Sequence, residues 1–207
     1  SSIVHELRTP MAAMVVYARL LDESLRSDAV LGEFTEALNR NADRLAALLD
    51  NVVAAASSPG VSVSIHKSSV DVVEFVSRVV SDCVTATGGK VSPSLFVDGD
   101  GPWSANIDPL KLGQALSNVV VNALKHAPGA PVSVTLRGKG ARIEIEVRDQ
   151  GPGMSDDEVR RCRVAFYRGP RAIESTTGGV GLGLAIADQM IQAHGGEMSI
   201  ESVVGDG

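Results

Sequence analysis

Apolar or small residues recur at Val4, Leu7, Met11, Met14, Ala18, Leu21 and Leu25. Steps of three and four mark the seam of a helix that packs against other helices. Residues 33–56 repeat the pattern with Phe34, Leu38, Asn41, Leu45, Leu48, Val52 and Ala55. The polar segment around Ser27-Asp28-Ala29 is short enough to join the two helices as an antiparallel hairpin. Two helices enclose no core, so the pattern predicts a homodimer through the hairpin, a four-helix bundle with Asn41 fixing its register.

Ser57-Ser58-Pro59-Gly60 breaks this periodicity. The expected organisation is a helical hairpin over 1–57, a linker over 58–62 and a second domain over 63–207. In the second domain Val61, Val63 and Ile65 alternate like a strand, and Val70–Val84 reads as an amphipathic helix. Short strands are expected at Leu95–Val97 and Trp103–Ile107, then a helix from Asp108 to Ala127 with Pro109 in its first turn. Val132–Arg137 and Arg142–Asp149 alternate as a hairpin through Gly138-Lys139-Gly140. A glycine-rich stretch opens a helix at Leu182–His194, and Met198–Ser202 reads as a strand. Helices and strands interleave without strict alternation, which predicts an α+β sandwich rather than a doubly wound sheet. The chain begins in mid-helix and stops at Gly-Asp-Gly, so it reads as an excerpt lacking its last strand.

Composition narrows the function classes. Hydrophobic residues make up 44% and charged residues 21%, ordinary for a globular protein. A formal charge of −6 argues against nucleic-acid binding, which needs clustered cations, and 3% aromatic residues supply no stacking platform. Cys83 and Cys162 are far apart, without metal-ligand spacing, and read as reduced thiols. No run reaches the ~18 apolar residues of a membrane span, so no membrane contact by this segment is expected.

The candidate chemistry falls in blocks. The first is His5-Glu6-Leu7-Arg8-Thr9-Pro10. Val4 and Leu7 belong to the seam, leaving His5 at its edge. A neutral imidazole carries one unprotonated nitrogen able to attack phosphorus. Glu6 is placed to accept a hydrogen bond from the other ring nitrogen, and Thr9, one turn on, to orient a water for the reverse reaction. Pro10 removes the N–H that would bond the Glu6 carbonyl, so a bend is expected beside the reactive residue.

The second block runs from Gln114 to His126 and puts Asn118, Asn122, Lys125 and His126 on one helix face. Amides, an ammonium and an imidazole together suit a triphosphate with its cation. The third, Asp149-Gln150-Gly151-Pro152-Gly153-Met154, ends a strand. The fourth, Gly178-Gly179-Val180-Gly181-Leu182-Gly183, opens a helix whose amides suit phosphate. It lacks the lysine of a P-loop. Between these last two lie Phe166-Tyr167-Arg168 and the loop Gly169–Gly178, expected to form a mobile lid.

The first block resembles, residue for residue, the H-box of sensor histidine kinases. The others resemble that family's N, G1, F and G2 boxes in its order, and the resemblance covers almost the whole chain. It implies a dimeric phosphoacceptor bundle followed by an ATP-binding sandwich of the Bergerat type. The implied activity is ATP-dependent phosphorylation of His5, then transfer to an aspartate on a response-regulator receiver domain. The implied ATP site takes Asn118, Asn122 (the Mg²⁺ ligand), Lys125 and His126 near phosphate or ribose, and Asp149 on the adenine amino group. Gly151, Gly153, Phe166, Arg168, Gly179, Gly181, Leu182 and Gly183 complete it. The resemblance also implies the cytoplasmic portion of a sensor anchored in the inner membrane.

Related ATPases of the gyrase and MutL kind carry a water-activating glutamate where Asn118 stands, and asparagine cannot act as that base. This favours transfer to histidine over the rival reading, an ATP-driven clamp. The other rival is a pseudokinase whose bundle only scaffolds or dephosphorylates a receiver. Three departures from the family pattern stand out. Val180 replaces a hydroxyl residue, Arg163-Val164-Ala165 precede the F-box, and Lys111 stands where arginine is commoner. None removes an essential group.

Overall fold

In a computed structural model, the structure describes residues 64–88, 92–101, 103–140, 142–170 and 181–207, together with 15, 16 and 19. The chain divides into two compact units, Ser1–Gly60 and Val61–Gly207. In the first, Val15, Val16 and Arg19 are helical. The other expectations for that unit, from the heptad seam to the hairpin turn, lie outside the described residues. Among the described residues, no helix is long and apolar enough to cross a membrane.

The second unit opens with β1 (Ser68–Asp71) and α1 (Val72–Ala86). Asp71 ends the strand and caps the helix, its Oδ1 accepting the Glu74 N–H at 3.0 Å. Strands β2 (Ser94–Asp98) and β3 (Ser104–Ile107) follow, then α2 (Pro109–His126), β4 (Val132–Lys139) and β5 (Arg142–Asp149). The short α3 (Asp156–Arg161) and α4 (Gly183–Ala193) complete the unit. β1 pairs antiparallel with β3, and a second sheet has the order β2-β4-β5, with β2 parallel to β4 and β5 antiparallel to it.

The core lies between this three-stranded sheet and the helices. Val132, Val134 and Leu136 face inward from β4; Phe75, Val76 and Val80 meet them from α1, and Leu116, Val120, Ala123 and Leu124 from α2. Each large side chain so buried contributes about 1.5–3 kcal/mol. The register of the hairpin fixes where Asp149 stands. Val134 pairs with Val147 and Leu136 with Ile145, so the core-facing row of β5 is Ile143, Ile145, Val147 and then Asp149, opposite Val132. A carboxylate thus ends an apolar row.

Three expectations change. Of the alternating Val61, Val63 and Ile65, the first two lie outside the described residues and Ile65 is irregular; the first described strand is Ser68–Asp71, set by pairing with β3. Gly138 belongs to β4 rather than to the turn, because the chain at Gly101 crosses it. A β-carbon on Gly138 would lie 2.6 Å from the Gly101 Cα. Met198–Ser202 is not paired as a strand. Its groups serve as contacts instead, the Met154 N–H donating to Ser202 Oγ at 2.8 Å and Arg163 to the Met198 carbonyl at 3.2 Å. Apart from α3, which was not expected, the remaining helices and strands of the second unit fall within about three residues of the expected ranges.

Candidate nucleotide-binding site

α2 is the spine of the site. Its cap is Asp108, which is 4% exposed and whose Oδ1 accepts the N–H groups of Leu110 and Lys111 at 3.0 and 3.1 Å. Pro109 follows at the first helical position, where no N–H is missed. With one face of the helix buried in the core, the opposite face presents Asn118, Asn122 and His126, all half-buried, and Lys125, exposed.

Asn118 Nδ2 is buried and has no hydrogen-bond partner among the described residues. An amide donor in that state costs about 1–3 kcal/mol, so the position is tolerated for something other than stability. The carboxamide lies beside the start of α4. A β-carbon on Gly183 would stand 3.8 Å from Asn118 Cβ and Cγ. α4 is preceded by Leu182, 3% exposed, an apolar N-cap whose side chain accepts none of the first N–H groups of that helix.

At the other end of α2 the loop after β5 comes close. Asp149 Oδ1 accepts the Gly151 N–H at 2.8 Å. Gly151 is held so near that a β-carbon would lie 2.7 Å from that oxygen and 3.0 Å from the His126 carbonyl. Gly153 has φ 65°, and its β-carbon would overlap the Val203 carbonyl. The protein's own packing therefore requires both glycines.

His126 is held below the usual imidazole range, first by burial and then by the positive charges of Lys125 and Arg168, while Asp149 opposes the shift. At neutral pH its ring is uncharged, able to donate from one nitrogen and accept at the other. The same balance shows that Lys125, His126, Asp149 and Arg168 lie within one electrostatic neighbourhood.

The F-box joins this site through its backbone. The Phe166 N–H donates to the Gly181 carbonyl at 2.8 Å. Phe166 has φ 67°, a conformation uncommon outside glycine, and is exposed. Gly181 has φ 76° and leaves no room for a side chain, since a β-carbon would stand 2.5 Å from the Tyr167 carbonyl. The Tyr167 ring lies under the Arg161 guanidinium, 4.3 Å from its centroid.

Arg161 comes from α3, a helix the hydrophobic pattern does not predict. Its signal was legible as Ser155 followed three residues later by Glu158, a capping box in which each side chain bonds the other's backbone. His5, Glu6, Thr9 and Gly179 lie outside the described residues, as does the central part of the expected lid. Among the described residues, no group of three or more His, Cys, Asp or Glu side chains could hold a metal.

Residues 107–207 match the family model described as "Histidine kinase-, DNA gyrase B-, and HSP90-like ATPase", and residues 1–58 match "His Kinase A (phospho-acceptor) domain". The chain belongs to the sensor histidine kinases. Among curated members of that family, it is 32% identical to the sensor-like histidine kinase SenX3 of Mycobacterium tuberculosis over 210 residues, covering the whole chain and 50% of that protein. It is 29% identical to the sensor histidine kinase WalK of Bacillus subtilis, again along the whole chain and over 34% of the relative. The chain thus spans half or less of these sensor kinases.

Among solved structures of histidine kinases, full-length ShkA in complex with AMPPNP gives a TM-score of 0.73 at 26% identity, covering 99% of this chain and 42% of that one. The mycobacterial sensor histidine kinase MprB gives 0.53 at 31% identity, over 63% of this chain and 81% of that one. The second unit therefore has the ATPase fold shared by histidine kinases and gyrase.

Proposed function

We propose that this chain is the catalytic core of a sensor histidine kinase: it takes the γ-phosphoryl group of ATP onto His5 and passes it to an aspartate of a response-regulator receiver domain. The observation that carries the reading is Asn118, a buried amide donor without a partner among the described residues, beside the glycine-opened end of α4. A triphosphate there supplies the missing acceptor.

The residues take these roles. Asp149 ends the core-facing row of β5 and accepts from the adenine amino group. Lys125, exposed at the last turn of α2, neutralises phosphate, and the uncharged His126 donates to ribose or phosphate. Gly179, Gly181, Leu182 and Gly183 bring backbone N–H groups to the phosphates. Phe166 and Arg168 line the base of the lid. Asn122, half-buried on the same face of α2, would be the protein ligand of Mg²⁺. When bound, Mg²⁺ draws negative charge from the phosphate oxygens. Asn118 has no proton-accepting group to activate water, which favours a histidine acceptor over hydrolysis.

At the acceptor, a ring nitrogen of His5 forms the bond to the γ-phosphorus as the bond to the ADP oxygen breaks. Glu6 holds the proton on the other nitrogen and then stabilises the cation. Thr9 orients the water that reverses the modification. The bundle is a homodimer, and its exposed helices dock the receiver. In this reading the whole protein is a membrane-anchored sensor with this portion in the cytoplasm.

Incubation of the dimeric protein with γ-labelled ATP and Mg²⁺ tests the reading. Acid-labile label on the wild type, absent from His5→Gln, is expected. Label persisting in His5→Gln would overturn the acceptor. Steady phosphate release without any labelled protein would replace the kinase with an ATPase.

A further inference from the structure

Asp108 does more than cap α2. Its second oxygen, Oδ2, accepts the backbone N–H of His66 at 2.8 Å. Its own N–H donates to His194 Nε2 at 3.0 Å. Because that nitrogen accepts, the ring proton sits on Nδ1, which faces the Met190 carbonyl at 2.7 Å. One buried residue therefore ties together three parts of the fold: the start of α2, the end of α4 and the segment by which the chain enters the second unit. The His66 N–H is also the main reason the Asp108 carboxyl titrates below its ordinary range, ahead of the two capping bonds.

The geometry of the helices gives this knot a direction. Asn118 lies near Gly183, and Asp108, ten residues before it, bonds His194, eleven residues after. α2 and α4 thus run antiparallel, joined at one end by the nucleotide boxes and at the other by the Asp108–His194 bond. A helix is stiff along its axis, so an adjustment where the glycine loop meets phosphate moves its far end. At that far end sits the carboxylate holding His66, six residues beyond Gly60 in the chain.

We propose that Asp108 and His194 are positioning residues that report nucleotide occupancy to the entry segment 64–67, tightening its hold on the ATP-binding unit when the site fills. The inference rests on the nucleotide site proposed under the function above.

Hydrogen exchange on the full chain, with and without AMPPNP and Mg²⁺, separates the two. If the nucleotide site is correct, amides over residues 117–126 slow. If the inference is correct, amides over 64–68 slow as well, by threefold or more, although they lie at the opposite end of α2. Asp108→Asn keeps an oxygen for the capping bonds but turns an NH₂ group on the His66 N–H. It is expected to abolish the response at 64–68 and leave that at 117–126. His194→Ala is expected to lose the distant response too, and His194→Gln, whose amide oxygen reaches the place of Nε2, to restore it. Slowing at 117–126 alone in the wild type overturns the inference and leaves the nucleotide site standing. An unaltered distant response in Asp108→Asn overturns it as well. No slowing at either segment removes the nucleotide site, and the inference with it.

Discussion

The carbonyl of Val203 occupies the space that a β-carbon on residue 153 would need, and Gly153 adopts φ 65° there. Two costs fall on any side chain at this place, a left-handed backbone of about 1–2 kcal/mol and an overlap of about 1–3 kcal/mol. Gly153→Ala is therefore expected to lower stability by about 2–5 kcal/mol in urea titration. Gly129, with φ 81° and nothing within 4 Å, carries only the first cost. Gly129→Ala should lose about 1–2 kcal/mol. Equal losses at the two sites would show that the Val203 contact carries no weight.

Gly113 points the other way. It sits within α2, and a β-carbon there would meet the Phe75 ring at 3.7 Å and Val79 at 3.8 Å, ordinary contact distances. Gly113→Ala is expected to raise stability by about 0.5–1 kcal/mol through helix propensity alone. A thermal melt that shifts downward would refute the open space.

Asn118 separates folding from binding. Asn118→Ala removes the cost of the unpaired donor but also the packing of its carboxamide, and the two offset, so the stability of the nucleotide-free protein should change by no more than about 1 kcal/mol, in either direction. Calorimetric titration with AMPPNP and Mg²⁺ should show at least a tenfold loss of affinity. Unchanged affinity would detach this residue from the nucleotide.

Asp108 predicts a pH dependence with a definite sign. Its folded pKa lies below the unfolded value of 3.8, held there first by the His66 N–H. The stabilisation is complete above the unfolded value and is lost as the pH falls through the folded one. The stability gap between wild type and Asp108→Asn, from urea titrations, should be widest near neutrality and narrow below pH 3.8. A gap that stays constant into strong acid would contradict the ionised carboxylate.

Where local pattern and tertiary structure agreed, the sequence was readable. α2 carried both its start signal, Asp108-Pro109, and its apolar stripe, and was placed to within a residue or two. β4 and β5 alternated because one face of that sheet is buried. β1 was not foreseen because Ser68–Asp71 is mostly exposed, carries no apolar alternation and exists through its partner strand. α3 was missed because its six residues bury nothing, although Ser155 and Glu158 announced its start. The site residues from Asn118 to Gly183 were named from motif resemblance and helix-face arithmetic. The tie among His66, Asp108 and His194 was not, since its members lie 42 and 86 residues apart and bond partly through the backbone.

The same helix that carries Asn118, Asn122 and His126, the residues proposed to meet the nucleotide, buries Leu116, Val120 and Leu124 in the core. Ligand and core thus share one cooperative unit. With ATP at a hundred times its dissociation constant, the folded state gains about 2.7 kcal/mol. On the proposed function, resistance of this domain to unfolding and proteolysis rises with the ATP concentration around it.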